Sequence, residues 1–275
     1  MEEGRVFIGR RRVKSAGEPV EAGDIVEIAP PRAPIAGVRV LFEEDDLVAV
    51  DKPAGMPTIA DHGGAAHALV AVAAQALGVD PESLHPTSRL DRGVSGVVVF
   101  ARTKAAAERL MQARAAGTYE RRYLALAARA PVPARGAWDA PLGRARDPRL
   151  RQVNGRDPVA ATTHYAVCAT AGGLAMLAVA PKTGRTHQIR VHASHASAPL
   201  VGDRDYGGPP RVTLATGRVL EPRRIALHAA RVVVPGAQGA PLVASAPVPP
   251  ELEALWAALG GDAAAWEVAA SCDLA

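Results

Sequence analysis

Long apolar runs are missing from this chain of 275 residues, although 48% of it is hydrophobic. Gly, Pro or a charge breaks each run well before the roughly 20 residues that a membrane-spanning helix requires. The opening MEEGRVFIGRRR puts acids first and has no apolar segment, so no secretory leader is expected and the cytoplasm is the expected compartment. Cysteine is nearly absent. Cys168 and Cys272 lie far apart without metal-type spacing, which points to a core thiol and a tail thiol rather than a disulfide. No Walker loop or dinucleotide fingerprint occurs, so no cofactor is expected. Gly93-Val94-Ser95-Gly96-Val97 is not a nucleophile elbow, because its fifth position is Val. His187, His192 and His195 are spaced by five and three residues with no carboxylate nearby, so no metal site is expected. A convincing carboxylate pair for glycoside hydrolysis is lacking too. The net charge of +4 permits a polyanionic partner without demanding one.

What is present centres on His85 to Arg102, HPTSRLDRGVSGVVVFAR. Asp91 sits between Arg89 and Arg92, followed by Gly93 and Gly96, which allow tight turns and close approach of another backbone. Val97 to Phe100 read as a buried strand, which would mount the Asp91 carboxylate at the edge of a rigid sheet. The plainer account is a solvated Asp in a charged turn paired with a neighbouring Arg.

The rest of the chain reads as strands alternating with a few helices. Residues 1–30 suggest a small β-hairpin module with one basic rim, and APPRAPIA (29 to 36) suggests a linker, taken as 31–37. Val38 to Phe42 and Leu47 to Asp51 read as a hairpin, and Ala65 to Leu77 as a helix closed by Gly78. Thr103 is the expected N-cap of a helix ending at Gly117. Tyr119 to Ala127 is extended, and Tyr123 taken alone reads as a core aromatic with its hydroxyl satisfied. Pro131 to Pro158 reads as irregular. It carries Arg144, Arg146, Arg149 and Arg151, and the favoured expectation is a mobile arm gripping phosphates rather than a solvated loop. Thr163 to Ala169 and Leu174 to Ala180 form a second hairpin. They lead into a helix from His187, capped by Thr186, with Arg190 on the side of His187. Ile225 to Val234 gives a further strand, and Leu252, Leu255, Trp256 and Leu259 stripe a helix that stops at Gly260. The Ala-rich tail at 261–275 is expected to be disordered.

Five stretches carry a resemblance: DDLVAVDKPAGMPT (45 to 58), SRLDRGVSGVVVFART (88 to 103), RRYLALA (121 to 127), GRTHQIRVH (184 to 192) and PLVGDRDYG (199 to 207). They resemble, in order, the motifs of the RluA-type pseudouridine synthases. The resemblance implies an α+β pseudouridine synthase fold over 38–260, with a mixed, largely antiparallel central sheet flanked by helices and loops and an active-site cleft across it. It implies an isomerase acting on structured RNA, ribosomal or transfer, with a flipped uridine and no cofactor, working as a monomer. Asp91 falls at the catalytic aspartate, Tyr123 at the active-site tyrosine, and Arg190 at the arginine that pairs with the aspartate, expected in a bidentate contact. Arg185, Thr186, His187 and Gln188 would line the same cleft, with Arg89 and Arg92 beside the substrate. Ser88 stands where the family usually has His, Gly93-Val94 where Asp-Thr is common, and Arg121 where Lys is usual. GRVFIGRRRVKSAGEPVEAGDIVEI is similar to the last third of the S4 RNA-binding module, and weak RNA binding or packing on the main domain both stand open for it. The competing class is an RNA-binding protein without catalysis.

Overall fold

The computed structural model describes residues 6–8, 11–13, 17, 19–28, 38–60 and 65–274. The linker expected at 31–37 lies outside these. The first strands, β1 (Val6–Ile8), β2 (Arg11–Arg12) and β3 (Val26–Ile28), form a separate antiparallel sheet in the order β2-β1-β3. Strands β4 (Arg39–Glu43) and β5 (Leu47–Lys52) follow as the expected hairpin. Helix α1 is shorter than expected, Leu69–Leu77, behind a 3-10 turn at Ala65–His67. Its leading N–H groups are answered by the carbonyls of Pro57 and Thr58, which replaces a side-chain cap. Gly78 ends it in the left-handed conformation, donating to Ala74 and Gln75.

The chain continues through β6 (His85–Pro86), β7 (Ser95–Ala101), α2 (Lys104–Ala115) and β8 (Glu120–Ala127). Thr103 caps α2 as expected, its hydroxyl accepting from the Ala106 N–H at 3.1 Å. The segment expected to be irregular is instead β9 (Arg135–Trp138), β10 (Leu142–Arg144), β11 (Arg151–Val153) and β12 (Arg156–Val159). Strands β11, β10 and β12 make a small sheet of their own. Gly143 and Gly155 occupy positions where the backbones nearly touch: a Cβ on Gly143 would lie 2.5 Å from the Gly155 carbonyl. Then come β13 (Thr163–Ala171), β14 (Leu174–Pro181), α3 (Gln188–His195), β15 (Val212–Thr213), β16 (Val219–Leu220), β17 (Leu227–Pro235), β18 (Pro241–Ser245), α4 (Pro250–Ala258) and α5 (Ala264–Ser271).

The main sheet runs β4-β5-β7-β17-β8-β14-β13-β9, with β18 added on β17 and β6 on β7. Among the described residues only β7 and β17 pair in parallel, so the fold is α+β with a mixed, largely antiparallel sheet. Every residue of β7 is buried. Its alternate residues feed two faces: Val98 and Phe100 join a core with Leu69, Tyr123, Leu177 and Ile189, while Val97 and Val99 join one with Leu110 and Tyr119 on the α2 side. Gly96 sits at φ +114°, and a Cβ there would stand 2.2 Å from the Ala229 carbonyl oxygen. Glycine is therefore what lets β17 come alongside just past the Asp91 turn.

The tail is a correction. Trp266 of α5 is buried and packs edge-on to Trp256 of α4, with ring centroids 6.4 Å apart. Burying an aromatic of this size stabilises by roughly 1.5–3 kcal/mol or more, and the alanines around it let α5 lie close. The final turn is tied down as His164 Nδ1 meets the Leu274 carbonyl at 2.8 Å and Arg135 donates to the Asp273 carbonyl at 2.9 Å. Cys168 and Cys272 are free thiols that come together here, and burial together with the Cys272 neighbour pushes the Cys168 pKa up to about 11.

Candidate active site

Asp91 opens a turn closed by the Val94 N–H donating to its carbonyl at 3.0 Å, directly ahead of β7. The backbone on either side is held by the loop that follows β5. Thr58 Oγ1 accepts from the Leu90 N–H at 3.0 Å and donates to the Leu90 carbonyl at 2.9 Å. The Gly55 N–H donates to the Arg92 carbonyl at 2.6 Å. Lys52, fully buried, donates from Nζ to the carbonyls of Met56 at 2.7 Å, Pro53 at 3.1 Å and, at the limit, Arg92 at 3.5 Å. Burial pushes the Lys52 pKa down to about 7. Three carbonyl acceptors oppose that, since all three can be served only by the ammonium form. KPAGMPT is thus a backbone clamp on the Asp91 turn, a role not read from the sequence.

The Asp91 carboxylate remains one-quarter exposed and accepts from Arg190 Nη1 at 3.0 Å. Arg190 comes from α3, is buried, and is shared by three acids. Its fork closes on Asp203, Nε to Oδ2 and Nη2 to Oδ1 at 2.8 Å each, and Nη2 also reaches Asp205 at 2.8 Å. The expected bidentate contact with Asp91 is therefore corrected: the bidentate partner is Asp203, and Asp91 takes the one remaining nitrogen. Burial works against the Arg190 charge, but the Asp203 and Asp91 contacts outweigh it and raise its pKa further. Asp203 is itself buried, so its charge and that of Arg190 hold each other in place. The guanidinium also lies over the Tyr206 ring at 4.8 Å.

His187, in the left-handed conformation at φ 58°, is the N-cap residue of α3; Thr186 is exposed and does not cap. His187 Nε2 stands 3.8 Å from Asp91 Oδ1, and its Nδ1 is 2.7 Å from the Tyr206 hydroxyl. That hydroxyl accepts from the Arg151 N–H at 3.0 Å, leaving its own proton free for Nδ1 and the Nε2 proton facing Asp91. Burial lowers the His187 pKa despite Asp91 beside it. Gln188 is fully occupied within the protein: its amide donates to Thr162 and Thr163 at 2.9 Å, while Oε1 accepts from Thr183 at 2.7 Å and the Arg185 N–H at 3.0 Å. It holds the turn into α3 and has no group left for RNA.

Tyr123 on β8 is buried and lines the same cleft of about 100 Å³ as Asp91, Arg89, Arg185, His187 and Arg190. Burial, and to a smaller degree the nearby Asp91 charge, raise the pKa of its phenol. Asp91, Tyr123 and Arg190 are thus brought together. Arg92 is exposed and lines a different, larger groove beside α4. Arg144, Arg146, Arg149 and Arg151 sit on the β10–β11 hairpin, not on the cleft wall. Arg149 chelates Asp147, with its closest contact at 2.6 Å, and these bonds bring the Asp147 pKa down to about 2. Arg151 curls back on the carbonyls of Pro148 and Leu150 at 3.0 and 2.7 Å. Sequence reasoning missed Asp203, Asp205 and Tyr206, although DRDYG within the fifth motif was their signal. Among the described residues no cluster of three or more His, Cys, Asp or Glu is placed to hold a metal, and no helix is long and apolar enough to cross a membrane.

The cleft thus presents one clamped carboxylate beside a phenol and a buried guanidinium, and comparison with known proteins supplies the family. The family model for RNA pseudouridylate synthase matches residues 46–195. The chain belongs to that family, and it is an isomerase acting on RNA. Ribosomal large subunit pseudouridine synthase D of Xanthomonas campestris is 35% identical over 260 residues, covering 90% of this chain and 77% of that protein. The protein of the same name from Yersinia pestis is 32% identical over 224 residues, covering 76% and 67%. Among solved structures, human RNA Pseudouridylate Synthase Domain Containing 1 aligns with a TM-score of 0.64 at 23% identity, over 82% of this chain and 90% of that one, a likeness of fold.

Proposed function

We propose that this chain converts particular uridines of structured RNA, ribosomal in the first instance, into pseudouridine, with Asp91 as the group that reacts. The N1–C1′ bond breaks, the uracil turns, C5 bonds to C1′, the C5 proton leaves and N1 takes a proton, so atoms and electrons balance without an outside reactant. The carrying observation is the Asp91 carboxylate, fixed by Arg190 at 3.0 Å yet one-quarter open to the cleft that Tyr123 lines. A carboxylate so placed can attack C1′ or the uracil ring. Tyr123, its phenol kept protonated by burial, stacks on the flipped base. Arg190 positions Asp91 and Asp203 positions Arg190. Arg89 and Arg185, which line the cleft, flank the entering strand, and the exposed Thr186 meets it next to Arg185. Arg144 and Arg146 attract phosphates at longer range.

The working form is taken as a monomer, in the cytoplasm where folded RNA is met. Residues 38–274 are taken as the catalytic unit, and 1–30 as an appendage that is dispensable on a minimal stem-loop. Asp91→Asn tests the reading. Tritium release from 5-tritiated uridine in RNA should vanish while RNA binding persists, and retained turnover removes Asp91 from the mechanism.

A further inference from the structure

One corner of the cleft is charged in a way that the Asp91 cluster does not require. Arg114, near the end of α2, and Arg121 on β8 both face the ring of Tyr119, which lies between them in sequence. The guanidinium carbon of Arg114 is 4.4 Å from the ring centroid and that of Arg121 is 5.8 Å from it. Both arginines line the cleft together with Asp91 and Tyr123. Neither makes an ion pair among the described residues, whereas Arg190 is paired with three acids, Arg224 with Glu251 and Arg109 with Asp46.

The two like charges are poorly served as they stand. Arg121 donates from Nη2 to the carbonyls of Pro181 and Thr183 at 2.9 and 3.1 Å. Its Nε, and the Nε and Nη2 of Arg114, are buried without a hydrogen-bond partner. Burial, with Arg114 adding to it, lowers the Arg121 pKa. Leaving two cations partly desolvated on one ring costs stability, and an anion that enters between them recovers it. Space for one is kept by Gly184, where a Cβ would lie 3.2 Å from Arg121 Nη1. The aromatic face restrains the Arg114 guanidinium, 4.4 Å from the ring centroid, so less freedom is lost when its planar fork meets two oxygens of one acceptor. Tyr119 is in turn fixed through its hydroxyl, 3.3 Å from Thr87 Oγ1 on the far side of the Asp91 stretch.

We propose that Arg114, Tyr119 and Arg121 form a clamp for one phosphodiester of the RNA strand, next to the uridine that enters the cleft. The proposal rests on the isomerase reading above and adds to it a fixed register between one backbone phosphate and Asp91. A phosphodiester, which carries a full negative charge where a uracil carbonyl carries none, is the group that two unpaired guanidinium ions attract.

The test uses a synthetic stem-loop with one 5-tritiated uridine, in which single phosphates on either side of the uridine are replaced by uncharged methylphosphonates. Arg114→Gln should raise KM and the Kd of the all-phosphate RNA about tenfold, with kcat changed less than about twofold, the size expected for one charged hydrogen bond. At one position the methylphosphonate should weaken the wild type by about the same factor and add nothing to Arg114→Gln. Arg114→Lys, which keeps the charge without the planar two-nitrogen fork, should recover part of the loss. Additive penalties at every phosphate, or an unchanged KM in Arg114→Gln with unaltered melting, overturn the clamp. Should the wild type release no tritium from any RNA while the Kd penalties remain non-additive, the clamp stands and the isomerase reading falls.

Discussion

Two buried polar networks flank the Asp91 turn, and they differ in one respect. In front, Asp91, Arg190, Asp203, Asp205, His187 and Tyr206 share protons and charge around one guanidinium, and Asp91 is left one-quarter exposed to the cleft. Behind, Ser95 Oγ meets His228 Nδ1 at 2.7 Å, His228 Nε2 faces the Ala246 carbonyl at 3.3 Å, and Arg224 donates to Ser95, to the Leu227 carbonyl and to Glu251. Ser95 and His228 are sealed, at 2% and 0% exposure. They also stand opposite each other in the parallel pairing of β7 with β17. A Ser–His contact invites a catalytic reading, but a nucleophile without a path to substrate is a structural staple. Access to the cleft, more than hydrogen-bond richness, separates the network proposed to react from the sealed one.

If that contrast is right, substituting the partly exposed Asp91 should split activity from stability, and substituting a buried member of either network should not. The largest effect is Asp91→Asn, expected to lower turnover at least roughly 10³-fold with little change in melting temperature, because Arg190 keeps Asp203 and Asp205. A large fall in melting would place Asp91 with the staples. Arg190→Met leaves Asp203 buried without its cation, and denaturant titration should show a loss of about 3–5 kcal/mol alongside lost activity; a loss under about 1 kcal/mol would mean that the acids relax to water.

The rear network is best tested by pH. Burial lowers the His228 pKa from 6.5 to about 4, so between these values the unfolded chain holds a proton that the folded one lacks. Stability should then fall as pH drops from 6.5 to 4, by about 3 kcal/mol at most from this group. His187 and His192 are lowered by burial in the same direction, so the decisive measurement is whether His228→Asn flattens the acid limb. The smallest effect belongs to the β10–β11 hairpin. Replacing Arg144 and Arg146 by Gln should leave melting unchanged and reduce the slope of log Kd against log salt by about 0.7–0.9 for each phosphate no longer neutralised; an unaltered slope makes the hairpin bystander surface.

Much of this is legible in the linear chain because it is local. β7 is a run of β-branched residues bounded by glycine, Thr103 precedes a helical pattern, and Gly78 ends one. The acid, phenol and guanidinium can be named from their motifs. Less local features escape such a reading. The alanines of α5 carry no periodic stripe of large apolar residues, so its order depends on Trp266 finding Trp256. The arginine-rich segment looks irregular because its strands are only three or four residues long.

The sequence by itself determined β5, β7, β8, β13 and β14 and the caps Gly78 and Thr103, whose signals lie in near neighbours, and through its motifs it pointed to Asp91, Tyr123 and Arg190. Only the tertiary structure decided how the charges are shared. Whether Arg190 grips Asp91 or Asp203, whether Ser95 can reach a substrate, and whether Arg114 and Arg121 meet over one ring all depend on the approach of distant segments. Coulomb energy and desolvation change over a few ångströms, and no spacing along the chain encodes such distances.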